Sequence, residues 1–127
     1  MERKERTIVI KIGSSLLVSE ATGKLRMDFL YHLMNDVVGL KARNYKVVLV
    51  SSGSVSLGRR YGTVDAEANL TLAQKQAAAA MGQPALMAAY QNFASEHDIR
   101  TAQILITRSD FDDRKRFVNA EDTFEEL

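Results

Sequence analysis

The sequence predicts an α/β fold on a mainly parallel sheet. Two features carry that prediction. Short runs rich in Val, Ile and Leu lie at residues 7–12, 46–50 and 101–106. Segments with helical spacing separate and follow them, so strands and helices alternate along the chain. That order calls for parallel strands joined by right-handed crossovers. The runs are nearly continuously apolar, a pattern expected of strands buried on both faces by helices.

The elements follow in order. The first six residues, MERKER, are charged and read as a frayed, solvated end. Residues 7–12 form the first strand. From 28 to 43, Phe29, Leu30, Leu33, Val37 and Leu40 recur at helical spacing and make one apolar stripe, with Asp28 as the cap. Residues 46–50 form the second strand. Thr71 followed by Gln74 fits a capping box that opens a second helical region. Leu72, Gln76, Ala77 and Ala80 follow at helical spacing there, and the run of alanines permits close packing. Pro84 lacks an amide donor, so a kink or a new helix is expected at that point. Leu86, Met87, Tyr90 and Phe93 continue an apolar face to about Ser95. Residues 101–106 form the third strand. The segment TRSDFDDRKRFVN at 107–119 is dense in charge and reads as a solvated loop or subunit surface, with a loop beside the active site as the alternative. The last residues, AEDTFEEL, carry an apolar stripe without a stop signal, as in a helix that runs on. The expectation is a portion of a longer chain.

Composition removes several classes of function. With 127 residues the chain can hold one domain with a real core. Its net charge of +1 gives no bulk field that favours nucleic acid or acidic membranes. There are no cysteines, which excludes disulfides, thiolate metal sites and a cysteine nucleophile, and fits a reducing, cytoplasmic setting. No apolar run approaches the ~18 residues that span a bilayer.

In open α/β sheets, ligands bind beyond the carboxyl ends of the strands. Two strands here end in small, donor-rich turns. The first is Lys11-Ile12-Gly13-Ser14-Ser15 and the second is Ser51-Ser52-Gly53-Ser54. Glycine admits close approach of a ligand to the backbone, and successive amides can form an anion nest. Each turn alone is also what an ordinary strand end looks like. Together they sit at equivalent ends of adjacent strand-helix units. No G-x-x-x-x-G-K-[ST] or G-x-G-x-x-G pattern is present, and Ser56 lies in no G-x-S-x-G elbow. The spacing of His32 and His97 gives no ligand-pair pattern, and both read as structural or solvated. Asp110, Asp112 and Asp113 cluster, but no metal ligand is assigned. The RKR run at 114–116 is too short for nucleic acid and has no aromatic platform.

Four stretches, VIKIGSSLL, VVLVSSGSVSLGR, KQAAAAMGQPALM and QILITRSDFDDRKRFVNAEDTFEEL, occur in order and with sensible spacing. Together they resemble the amino-terminal half of enzymes in the amino acid kinase family, in the branch that phosphorylates L-glutamate. The resemblance runs from about residue 7 to the end. It implies a three-layer αβα sandwich with a mainly parallel sheet, here apparently truncated. Residues 1–127 would be the amino-terminal, glutamate-side portion of the kinase domain. It also implies ATP and Mg²⁺ as cofactors, L-glutamate as substrate and partner, and a homo-oligomer without nucleic acid or membrane. By that resemblance, Lys11 matches the lysine that contacts the transferred phosphate. Gly13, Ser14 and Ser15 match the adjoining phosphate-side turn. Ser52 and Gly53 match the glutamate-contacting turn. Downstream motifs of the family that complete the substrate site and hold ATP are absent from these residues. The chain alone is therefore expected to be inactive. Two other functions remain open at this stage: a non-catalytic binding or assembly module, and a family member with another acceptor.

Overall fold

A computed structural model describes residues 5–61 and 69–127. Its centre is a two-stranded parallel sheet of β1 (Arg6–Ile12) and β2 (Tyr45–Ser51). Their register runs without a slip from Arg6 opposite Tyr45 to Ile12 opposite Ser51. Strand β1 takes in part of the charged amino end, and Glu5 lies 3.8 Å from Lys46 as an ion pair. That end is thus tied in rather than frayed from Glu5 onward.

Between the strands lie α1 (Ser14–Leu17) and α2 (Met27–Ala42). Helix α2 buries Leu30, Leu33, Met34 and Val37, close to the expected stripe, while Phe29 packs at its margin. Asp28 sits in the first turn, where its charge suits the helix amino end, but Arg26 holds the cap position. The helix gives way to β2 through Asn44 at φ 65°, a left-handed turn that asparagine tolerates.

After β2 come α3 (Ser54–Gly58), a 3₁₀ turn at Arg59–Tyr61 and the long α4 (Leu72–Ser95). The capping box opens α4 as expected. The Gln74 amide donates to Thr71 Oγ1 at 3.2 Å, and the Thr71 amide donates to Gln74 Oε1 at 2.9 Å. Pro84 does not end the helix, which continues through it for 24 residues in all. The bond that proline forfeits belongs to the carbonyl of Ala80, a residue on the exposed side of the helix.

The buried stripe of α4 also differs from expectation in its first half. Ala78 and Gly82 are buried, whereas Leu72 is 73% exposed and Gln76, Ala77 and Ala80 face solvent. Helix α3 is the reason. A Cβ at Gly58 would lie 1.6 Å from the Ala78 carbonyl oxygen, and one at Gly82 would lie 1.9 Å from that of Ser54. The two helices therefore meet backbone to backbone, which only small residues allow. In the second half, Leu86 and Tyr90 enter the core as the apolar pattern predicts.

One core unites these elements: Ile12, Leu17, Leu30, Met34, Leu57 and Leu86 are its most enclosed large side chains. Ile10, Val47 and Leu49 pack against it from the sheet. Val9 and Val50, on the other parity, are 63% and 48% exposed. Among the described residues the sheet is thus covered more fully on one face than the expected double burial required.

The carboxyl region departs furthest from expectation. Residues 101–106 form no strand, and Leu105 is 76% exposed. A strand exists by pairing its amides and carbonyls, and this segment has no ladder partner among the described residues. The charged segment after it is not a loop but two helices, α5 (Arg108–Asp112) and α6 (Arg114–Glu126), neither of which buries a residue. Asp113 caps α6 by accepting from the Arg116 amide at 3.1 Å.

Candidate functional site

The parallel register brings the carboxyl ends of β1 and β2 side by side, and with them the two small-residue turns. Lys11 stands opposite Val50, on the face away from the core, and its side chain is exposed. The ladder extends one residue beyond β2, where the Ser52 amide donates to the Ile12 carbonyl at 3.3 Å.

The second turn then bends sharply. Gly53 has φ 108° and ψ −3°, a left-handed conformation that side chains resist, and it caps α3. It is buried against the first turn: a Cβ there would lie 3.5 Å from Ser14 Cα and from Val18 Cγ2. So Ser14 and Gly53 are neighbours across the strand ends, with room between them for about one methyl group. Gly13 is different. Its φ of −74° suits any residue, and a Cβ would meet nothing within 4 Å. Packing among the described residues does not require glycine there. Ser15 and Ser52 are exposed and Ser14 is half-buried.

All six residues singled out from the sequence, Lys11, Gly13, Ser14, Ser15, Ser52 and Gly53, thus lie at one end of the sheet. The arrangement offers one ammonium group, three serine hydroxyls and the backbone of two turns on neighbouring strands. That set suits anionic oxygen ligands. It holds no carboxylate and no histidine. Among the described residues, no group of three or more His, Asp or Glu could hold a metal ion.

A further residue joins the second turn from below. Tyr90 of α4 donates its hydroxyl to Ser51 Oγ at 3.1 Å, and Ser51 Oγ donates to the Ser52 carbonyl at 3.3 Å. Burial pushes the Tyr90 phenol above its ordinary pKa, partly offset by the bond to Ser51, so it remains a neutral donor at physiological pH. From the sequence, Tyr90 was visible only as part of an apolar face.

The charged segment lies on α5 and α6. Asp110 accepts from the Thr107 amide at 2.6 Å and from its hydroxyl at 3.1 Å. These bonds, the backbone one first, hold its carboxyl below the usual aspartate range. Asp110 and Asp113 there serve in helix caps. His32 and His97 are both exposed, in keeping with a structural or solvated role.

A parallel α/β unit with two serine-glycine turns meeting at its strand ends defines a class, and sequence comparison agrees. The chain belongs to the amino acid kinase family, whose model matches residues 6–127. Its relatives include proteins called glutamate 5-kinase in several bacteria. That of Dinoroseobacter shibae is 49% identical over 118 residues, which cover 93% of this chain and 32% of the relative. That of Trichlorobacter lovleyi is 47% identical over 122 residues, 96% of this chain and 32% of the relative. That of Paramagnetospirillum magneticum is 45% identical over 123 residues, with the same two shares. The chain therefore spans about a third of the length of these curated relatives, less than the half that the sequence resemblance implied. No helix among the described residues is long and apolar enough to cross a membrane.

Proposed function

We propose that this chain forms the glutamate-side portion of a glutamate 5-kinase. The reaction moves the terminal phosphoryl group of ATP to the side-chain carboxylate of L-glutamate, giving glutamyl 5-phosphate and ADP. That is the first committed step of proline biosynthesis, carried out in the cytoplasm by a homo-oligomer. Residues 1–127 make up the amino-terminal part of the kinase domain and, spanning about a third of the relatives' length, are not expected to turn over alone.

The observation that carries the proposal is the close neighbourhood of Ser14 and Gly53 at the ends of adjacent parallel strands. Two turns rich in donors then border one space, one for each reactant. Phosphoryl transfer between two anions depends mainly on positioning and charge neutralisation. Lys11 supplies the positive charge, offsetting repulsion between carboxylate and phosphate and stabilising the transition state. Gly13, Ser14 and Ser15 offer backbone and hydroxyl donors to phosphate oxygens. Ser52 and Gly53 hold the glutamate.

The residues present fit the phosphate part of ATP: an exposed ammonium beside hydroxyls and an open glycine backbone. ATP, when bound, supplies the phosphoryl group. By themselves they do not fit a resident Mg²⁺, because the site holds no carboxylate and no group of three or more His, Asp or Glu among the described residues could hold a metal ion. No step is assigned to the metal.

A second function, as a non-catalytic assembly module, draws support from the exposed apolar residues Val9 and Leu105, which are 63% and 76% exposed. Amide shifts in an NMR titration separate the two. L-Glutamate is expected to move the amides of residues 52–54, and ATP those of residues 11–15. A chain whose amides respond to neither ligand is not the acceptor side of this kinase.

A further inference from the structure

Tyr90 is 6% exposed and belongs to the hydrophobic core together with Leu86, Ala89 and Ala94 of the same helix. A phenylalanine would fill that space with the same ring. The hydroxyl is costly to bury without a partner. Its partner is Ser51, the last residue of β2. Strand parity explains why they meet. Ser51 stands opposite Ile12, which is buried, so both point towards α4.

The chain of bonds does not stop there. Ser51 Oγ accepts from Tyr90 and donates to the Ser52 carbonyl. That carbonyl belongs to the peptide unit shared with the Gly53 amide. No peptide bond among the described residues is cis, so the amide points opposite to the carbonyl. Whatever holds the Ser52 carbonyl therefore also aims the Gly53 amide. Beyond Gly53, α3 rests on α4 through the close approaches at Gly58 and Gly82. Helix α4 thus grips the turn on both sides, by hydrogen bond before it and by backbone contact after it.

We infer that Tyr90 is a positioning residue: through the Ser51 hydroxyl it fixes the peptide between Ser52 and Gly53, and so the aim of the acceptor-side turn. This rests on the assignment of that turn to L-glutamate. Tyr90 touches no reactant itself. Its hydroxyl acts from the core, behind the surface where substrate would lie.

The test uses the 127-residue chain, with Tyr90→Phe, Ser51→Ala and the double variant. Backbone order parameters at Ser52 and Gly53 and the L-glutamate dissociation constant are read by NMR. Each single variant is expected to lower the order parameters at these two residues and not at α2. Each should weaken glutamate binding about five-fold, the size of one net hydrogen bond. The double variant should add nothing further, because both changes cut one chain of bonds. Ser51→Ala cuts it from the exposed side, so it still reports if Tyr90→Phe fails to fold. Unchanged order parameters at Ser52 and Gly53 in the variants overturn the inference. So does wild-type-like glutamate affinity in variants whose turn has loosened. If the turn loosens but the wild-type chain never responds to glutamate, the clamp stands and the acceptor assignment falls.

Discussion

The two turns at the sheet's end look alike in sequence but are held by different means. Around Ser52 and Gly53, backbone geometry and packing leave almost no choice. Gly53 has φ 108°, lies buried beside Ser14 and is flanked by the Tyr90 hydrogen bond to Ser51 and the α3–α4 contact. Around Lys11 and Gly13 the same forces are slack: φ is ordinary, a Cβ at Gly13 would meet nothing within 4 Å, and Lys11 is exposed. The braced turn is the one proposed to hold a small amino acid, whose orientation must be set. The slack turn is proposed to face phosphate, where one mobile charge can follow moving oxygens.

The largest effect should come from undoing the brace. Gly58→Ala puts a methyl group where the Ala78 carbonyl oxygen now stands, so α3 must leave α4. Chemical denaturation should register a loss of about 3 kcal/mol, the upper end for overpacking. A neutral result would mean that the two helices are not in backbone contact. On the slack side, Lys11→Ala should leave stability almost unchanged and weaken ATP binding about tenfold, as fits a charged hydrogen bond. Equal ATP affinity in wild type and variant would remove Lys11 from the phosphate role.

The glycines give a paired test of intermediate size. Gly53→Ala forces a side chain into the left-handed region and should cost about 1–2 kcal/mol. Gly13→Ala should change stability by less than about 0.5 kcal/mol, because no strain or clash opposes it. Similar losses for both would erase the contrast between the turns. The smallest effect lies outside the site. Asp110 titrates below the usual aspartate range because Thr107 donates to its charged form. Its cap is present at neutral pH and is lost as pH falls through that lowered pKa. Local amide shifts at Thr107 should follow this titration, and Asp110→Asn should abolish the dependence.

Much of the fold was legible because local and tertiary signals agreed. The β-branched runs at β1 and β2 pair as expected, Thr71 and Gln74 close their capping box, and α2 buries the stripe its spacing draws. Where they disagreed, tertiary context won. Residues 101–106 have strand character but no strand to pair with. Leu72 belongs to the expected stripe of α4, yet the face that packs is the one on which Ala78 and Gly82 let α3 approach. Pro84 looks like a kink or a new start, but the residue deprived of its bond, Ala80, is on the exposed side of the helix. Charge made α5 and the first half of α6 read as a loop, although Thr107 and Asp113 are cap residues that could have signalled them, while the helix expected at 120–127 is the second half of α6. The two motifs were legible at equivalent strand ends, and the structure places them side by side. Tyr90 was not legible as part of it, since an apolar stripe does not reveal where a buried hydroxyl finds its acceptor.

The unbroken register of β1 and β2 works as a proofreading device. Slipping β2 by one residue would turn Leu49 outward and Val50 inward, so the sheet would lose its match to the core. The same slip would part Gly53 from Ser14. A chain that buries the correct side chains has therefore already aligned its two turns. The accuracy of the surface chemistry is inherited from hydrophobic sorting several residues away, and folding cannot satisfy one without delivering the other.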